Sequence, residues 1–236
     1  MEYKILENRI NIPTEKKPYN KGSEGQVYKI DNEIYKIYYT NMINEGYGSK
    51  EKHHTRLLSI PTKQVILPTE LIYTLTDTYA GYKTGFVEGN QKKKTGITQM
   101  PSKKFIHNLQ VLESDFNLLT ENYILVADAS PVNYIYDELS QTMNVIDPGR
   151  YKSNWTLLKS SCQKQNDIQL KYLINLLLYL DFIEYKPVGT KRKAALLRDR
   201  IKTQAQETSY SEFFSKELEN FETVHQYAKS LERYIK

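Results

Sequence analysis

Cysteine is nearly absent: Cys162 is the single one in 236 residues. That excludes a disulfide framework within the chain and fits a reducing, cytoplasmic setting. Long apolar runs are absent too. The longest, Leu173 to Phe182, falls well short of the roughly 20 residues needed to span a bilayer and reads as a buried helix, so no membrane partner is expected. The opening Met1-Glu-Tyr-Lys has none of the character of a secretory leader. Charge of one sign does not dominate. Lys and Arg number 33 against 28 Asp and Glu, a net +5. This balance suits an anionic ligand and does not argue for nucleic acid. What is present is an ordinary apolar fraction, 39%, in a length that allows one large domain or two small lobes. Twenty tyrosines, with frequent Lys, Asn and Ile, read as the mark of an AT-rich genome rather than of function.

Residues 1–20 are polar, with one strand expected over Tyr3–Ile10. Val27–Ile30 and Ile34–Tyr39 are β-type runs on either side of Asp31-Asn32-Glu33, the pattern of a hairpin. Gly46 and Gly48 precede a charged helix over Ser49–Ile60, with Ser49 as its candidate N-cap. Val65–Leu75 and Gly81–Val87 read as two more strands. The polar stretch Glu88–Gly96 is the best boundary and divides 1–89 from 90–236. Beyond it Phe105, Leu109, Leu112, Phe116 and Leu119 step by 4, 3, 4 and 3, one face of an amphipathic helix. Short strands are expected at Tyr123–Val126, Tyr134–Tyr136 and Met143–Ile146, then helices at Asp167–Asp181, Lys191–Gln206 and Ser211–Ile235. Strands with one helix first, then a mostly helical half, predict an α+β fold of two lobes, a small β-rich N-lobe and a helical C-lobe.

Three segments carry candidate chemistry. Gly22-Ser23-Glu24-Gly25-Gln26-Val27 can form a turn whose glycines let backbone N–H groups approach phosphate oxygens without a Cβ in the way. Two glycines three apart also make ordinary turns. In the next strand Lys36 alternates with Tyr35 and Ile37, so it points to the other face. It reads either as a solvated edge residue or as a phosphate contact, and the preceding turn favours the second. Asp128-Ala-Ser-Pro-Val-Asn133 sets an Asp and an Asn five apart, and Val145-Ile146-Asp147-Pro148-Gly149 adds a carboxylate 14 residues on. A carboxylate after an apolar strand and beside a glycine can hold Mg²⁺ between phosphates. Each segment alone could be a turn rich in Asp, Asn, Pro and Gly. His53 and His54 read as surface residues, because adjacent histidines do not share a helix face as metal ligands would.

In this order and spacing the segments resemble the protein-kinase-like superfamily, in a short, divergent, bacterial-type form covering roughly residues 18–182. The resemblance implies ATP and Mg²⁺ as cofactors, with the turn from Gly22 through Ser23, Glu24 and Gly25 to Val27 covering the nucleotide. It puts Lys36 on the phosphates, held by Glu51 of the following helix. Asp128 would be the base, Asn133 and Asp147 the metal ligands, and Asp167 the residue tying its helix to the catalytic loop. If Gly85–Val87 is the hinge between lobes, Thr84, Phe86 and Val87 line the adenine side.

The chain also departs from that pattern. Val126-Ala127 stand where protein kinases have His-Arg, Ser130 replaces the lysine that neutralises the γ-phosphate, and Pro148 replaces Phe. Only 19 residues separate Asp147 from Asp167, with no Ala-Pro-Glu between. Aminoglycoside- and choline-kinase-like enzymes share that shortened segment and phosphorylate small molecules. The expectation is therefore an ATP-dependent kinase whose acceptor is a protein or a small-molecule hydroxyl. Two other readings stand beside it: a pseudokinase serving as a nucleotide-binding scaffold or as an interaction protein, and a basic nucleic-acid- or phosphate-binding surface built from Lys186, Lys191, Arg192, Lys193, Arg198, Arg200 and Lys202, a pattern that is usually a solvated helix face.

Overall fold

The computed structural model describes residues 2–5, 8–44, 48–89, 96–153, 156, 158–184, 191–206 and 208–233. The fold is α+β. Its first part is built from β1 (Glu2–Ile5), β2 (Asn8–Asn11), β3 (Asn20–Lys21), β4 (Gly25–Ile30), β5 (Glu33–Tyr38), α1 (Thr40–Asn44), α2 (Gly48–Leu57), β6 (Glu70–Tyr73) and β7 (Tyr79–Gly85). The strands form one antiparallel sheet in the order β2-β1-β6-β7-β5-β4-β3. The β4–β5 hairpin turns on Asp31 and Asn32, since Ile30 pairs with Glu33. Asp31 takes a left-handed backbone, φ 53, as a two-residue hairpin loop requires.

Two expected strands are corrected. Tyr3–Ile10 is not one strand but the β1/β2 hairpin, which folds back to set Ile10 opposite Tyr3. This puts Tyr3 and Ile5 into the sheet core and leaves Asn8 and Arg9 in solvent. Over Val65–Leu75 only Glu70–Tyr73 is strand. Pro68 cannot donate to a ladder, and Val65 instead forms a parallel bridge with Val145.

The helical part contains α3 (Ser102–Glu121), β8 (Ile124–Leu125), β9 (Tyr134–Asp137), β10 (Thr142–Val145), β11 (Lys152–Ser153), α4 (Lys159–Glu184), α5 (Lys191–Gln204), α6 (Tyr210–Glu217) and α7 (Val224–Glu232). The five stepped apolar residues of α3 are all buried. The helix expected over Ser211–Ile235 is two helices. Ser209 and Thr223 each accept from the backbone N–H three residues on, at Glu212 and Gln226, and so cap α6 and α7 separately. Among the described residues no helix is long and apolar enough to cross a membrane.

The apolar interior is divided. Two small clusters, one around Tyr35, Ile37 and Ile72 and one around Tyr38, Tyr79 and Tyr82, belong to the sheet. A large one around Phe105, Leu112, Leu177 and Phe214 belongs to the helices. The layout is compatible with two lobes. The boundary expected at Glu88–Gly96 falls largely on residues 90–95, outside those described. A well-defined joint lies at residues 63–66. The backbone N–H groups of Lys63, Gln64 and Val65 all donate to the buried Asp115 carboxylate of α3, at 2.6 to 3.0 Å. Ile66 N–H and Val145 N–H then pair across to Val145 and Gln64 carbonyls, each at 2.8 Å.

Candidate functional site

A cleft of about 400 Å³ opens between the sheet and the helical part. Its roof is the turn between β3 and β4. Gly22 N–H donates to the Gly25 carbonyl at 2.9 Å, and Tyr39 N–H donates to the Glu24 carbonyl at 3.1 Å, which fixes the turn backbone. Gly22, Ser23, Glu24 and Val27 line the cleft. Gly25 does not, although the sequence placed it there. It is buried, and a Cβ at Gly25 would fall 2.2 Å from the Ile37 carbonyl oxygen. Its glycine lets β4 lie close to β5.

Strand alternation sends Tyr35 and Ile37 into the sheet core and Lys36 to the opposite face. Lys36 is 6% exposed. Its Nζ hydrogen-bonds to Asp147 Oδ1. Tyr82, its cross-strand partner on β7, donates to the same oxygen at 3.0 Å, and Gly149 N–H adds a longer contact at 3.4 Å. Burial raises the Asp147 pKa, but the Lys36 charge and these hydrogen bonds outweigh it and leave the carboxyl below its ordinary value. Burial, then the charge of Asp147, pushes the Tyr82 phenol well up, so Tyr82 remains a protonated donor.

Asp128 and Asp147 both hold left-handed backbones, φ 63 and φ 59, a conformation that costs energy away from glycine and persists where neighbours enforce it. The enforcing contacts are visible. Asn133 ends a single 3₁₀ turn, and its Nδ2 donates to the Asp128 carbonyl at 3.0 Å. Ile146 N–H donates to the Asn133 carbonyl at 2.8 Å. Asp128, Asn133 and Asp147 are thereby one unit at the cleft floor. The Asn133 amide nitrogen is used by the loop, which leaves its oxygen as the atom that can serve a cation. Among the described residues no three His, Cys, Asp or Glu side chains form a metal cage. One carboxylate and one amide oxygen still fit Mg²⁺, which keeps most of its shell for water and phosphate oxygens.

The remaining charges concentrate at this end. The Glu24 carboxylate lies 2.9 Å from Lys50 Nζ, 3.7 Å from Arg150 Nε and 3.9 Å from Lys36 Nζ. Arg150 also reaches Asp128 Oδ2 at 3.7 Å. The other end is less charged. Thr84, Phe86 and Val87 line it with Val27, Ile34 and Ile66. The Thr84 hydroxyl is committed to the Leu67 carbonyl at 2.8 Å. The cleft therefore suits a ligand with a flat apolar group at one end and several negative charges at the other.

Three further sequence expectations fail here. Glu51 does not hold Lys36. Its Oε1 accepts from Tyr73 OH at 2.8 Å, and the α2 side chain that reaches the cleft cluster is its neighbour Lys50. Asp167 does not open its helix, because α4 begins at Lys159. Asp167 is exposed and accepts from Gln163 at 2.8 Å. The tying is done by buried Asn166, whose Oδ1 accepts from Val126 N–H at 2.8 Å and whose Nδ2 donates to the Ile124 carbonyl at 2.9 Å. His54 is not on the surface. It is fully buried, bonded through Nδ1 to Tyr79 OH, and stacked on Tyr38 at 6.4 Å. Burial, then the charges of Lys50 and Lys36, push its pKa down to about 3.

Sequence reasoning also missed Tyr82, Lys50 and Arg150. Arg150 directly follows the Asp147-Pro148-Gly149 element, which was the one available signal. No protein-family model matches the chain, and no curated protein matches it.

Proposed function

We propose that this protein is an ATP- and Mg²⁺-dependent phosphotransferase of protein-kinase-like fold, acting on a hydroxyl group of a protein or of a small molecule. One arrangement carries the reading. Lys36, Asp128, Asn133 and Asp147, from segments up to 111 residues apart, face a single cleft beneath the Gly22–Glu24 turn. Asp147 and Asn133 would hold Mg²⁺, which when bound neutralises phosphate charge. In the transfer, the acceptor oxygen bonds to the γ-phosphorus while the bond from that phosphorus to the β,γ-bridging oxygen breaks and ADP leaves. The hydroxyl proton passes to the Asp128 carboxylate. The Asp128 side chain is about a third exposed, 35%, so either kind of acceptor can approach.

A second reading is a nucleotide-binding scaffold that transfers nothing. Ser130 favours it: this residue supplies no cation beside Asp128, and its Oγ is buried. Thermal melting with ATP, ADP and GTP, each with and without Mg²⁺, tests binding. Mg²⁺–ATP at ~100 times its Kd should stabilise the fold by about 2.7 kcal/mol. No shift with any nucleotide defeats both readings. A shift without labelled phosphate transfer to protein or small-alcohol acceptors leaves the scaffold.

A further inference from the structure

We infer that Lys50 and Arg150 act with Lys36 as a polyphosphate-binding triad, and that Glu24 fills this triad as an internal anion which an incoming polyphosphate must displace. The inference rests on the nucleotide reading above and deepens it. It assigns two phosphate contacts and a gate that the sequence motifs do not name.

Convergence is the first ground. Three cations from three segments, β5, α2 and the turn after Asp147, lie within 3.9 Å of one carboxylate. This is not a solvated surface pair. The side chains of Glu24, Lys50 and Lys36 are only 15%, 18% and 8% exposed, while that of Arg150, 54% exposed, forms the solvent side of the cluster. Pairs so shielded are weakly screened by salt, and removing one partner leaves the other charge in need of a substitute.

The second ground is what stays when Glu24 leaves. Lys36 remains on Asp147. Its ammonium also lies 5.9 Å from the Tyr38 and Tyr82 ring centres, and that of Lys50 lies 5.2 Å from Tyr38. Both rings are buried, so the two ammonium groups keep an electron-rich wall behind them. With Glu24 gone, three cations face the two carboxylates of Asp147 and Asp128. The excess positive charge opens onto the cleft, where a chain of phosphates carries more charge than the carboxylate it replaces.

The third ground is mobility of the right kind. The Glu24 carbonyl is held by Tyr39 N–H, so the backbone need not move. Ser23 beside it is exposed, and rotation about the Glu24 side-chain bonds carries the carboxylate out to water over that edge. The gate is thus a side-chain rotation and requires no movement of the turn backbone.

The test compares the parent with Glu24→Gln, Glu24→Asp, Lys50→Gln and Arg150→Gln, using calorimetric titration with Mg²⁺–ATP, with inorganic tripolyphosphate, and with adenosine. Melting curves first establish that each variant is folded. Glu24→Gln should bind Mg²⁺–ATP and tripolyphosphate about tenfold tighter than the parent, and Lys50→Gln and Arg150→Gln several-fold weaker. Adenosine, which has no phosphate, should bind all of them alike. Glu24→Asp keeps the charge on a shorter stem and should gain part of the effect, so it serves if the glutamine variant does not fold. If the parent binds Mg²⁺–ATP and neither Glu24 variant binds it more tightly, the gate is wrong and the nucleotide reading stands. If tripolyphosphate binding improves in Glu24→Gln while no protein binds ATP, the triad stands and the nucleotide reading falls. Binding of neither ligand by any variant overturns both.

Discussion

Asp115 and Glu24 are both shielded carboxylates at the junction of sheet and helices, and they are satisfied in opposite ways. Asp115, 1% exposed, takes its hydrogen bonds from three successive backbone N–H groups, those of Lys63, Gln64 and Val65. Those donors cannot leave without unwinding the segment that leads into β6. Glu24 takes its partners from Lys50, Arg150 and Lys36, side chains on flexible stems that can serve another anion. The same functional group thus makes a permanent joint in one place and an exchangeable contact in the other. What separates them is the kind of donor, backbone or side chain, and not the depth of burial alone. The helical side of the joint repeats the first pattern. Asn108 donates to the Lys104 and Gln141 carbonyls at 2.8 and 3.0 Å and accepts from Met143 N–H at 2.9 Å. The cleft repeats the second, with Lys36, Tyr82 and Asp147 satisfying one another.

The contrast is sharpest where activity and stability should come apart. Asp128 belongs to the cleft, and its carboxylate makes no backbone joint. Asp128→Asn, which tolerates the left-handed backbone at this position, should lower phosphate transfer by ~10²–10⁴ while leaving the urea midpoint near that of the parent and without weakening nucleotide binding. Equal turnover in the two proteins removes Asp128 from the chemistry. Asp115→Asn should do the reverse. It places an NH₂ group where an acceptor met N–H donors and leaves buried donors unmet, a loss of about 2–4 kcal/mol. Urea unfolding measures it. A loss under about 0.5 kcal/mol, the usual range of a surface substitution, would mean that the joint is held by something other than this carboxylate.

Much of the architecture was legible because it follows from period and turn chemistry. The 4-3-4-3 spacing of α3, the Asp31-Asn32 hairpin and the alternation that aims Lys36 away from Tyr35 and Ile37 are local rules, and each has the expected geometry. The cleft also gathers Gly22, Ser23, Glu24, Val27, Lys36, Thr84, Phe86, Val87, Asp128, Asn133 and Asp147. What was not legible depends on tertiary register. Lys50 and Glu51 are adjacent, and only the rotation of α2 against the sheet decides which reaches the cleft. Asn166 and Asp167 pose the same problem on α4, where a helix starting eight residues earlier turns Asn166 inward and Asp167 out. That pair supplies a third prediction. Asn166→Ala strands Val126 N–H and the Ile124 carbonyl and should cost about 1–3 kcal/mol. Asp167→Ala, at an exposed position, should stay within about 0.5 kcal/mol of the parent. Equal costs for the two would place the helix register elsewhere.

Solution pH offers the smallest and most selective probe, because His54 belongs to the cleft side of the contrast. Its imidazole is buried against Tyr79, Tyr38 and Tyr82 and lies near the positive charges of Lys50 and Lys36, which hold it neutral with a pKa of about 3 against 6.5 for the free side chain. The sign follows from linkage. The folded state binds the proton less readily than the unfolded one, so the contribution is full above pH 6.5 and is lost as pH falls from there toward 3. The limiting slope is about 1.4 kcal/mol per pH unit, and integrated across the free-side-chain pKa the loss between pH 7.5 and 5.5 comes to about 1.4 kcal/mol. His53 is also shifted down, by burial and then by Arg56, Lys152 and Lys52, so it adds a lesser slope of the same sign. Urea unfolding at pH 7.5 and 5.5 should show the parent losing stability across this interval. His54→Gln, which keeps a polar side chain but cannot titrate there, should lose distinctly less. A variant with the parent's full pH slope would show that His54 is not the buried neutral group, and that the aromatic wall behind Lys36 and Lys50 is open to water.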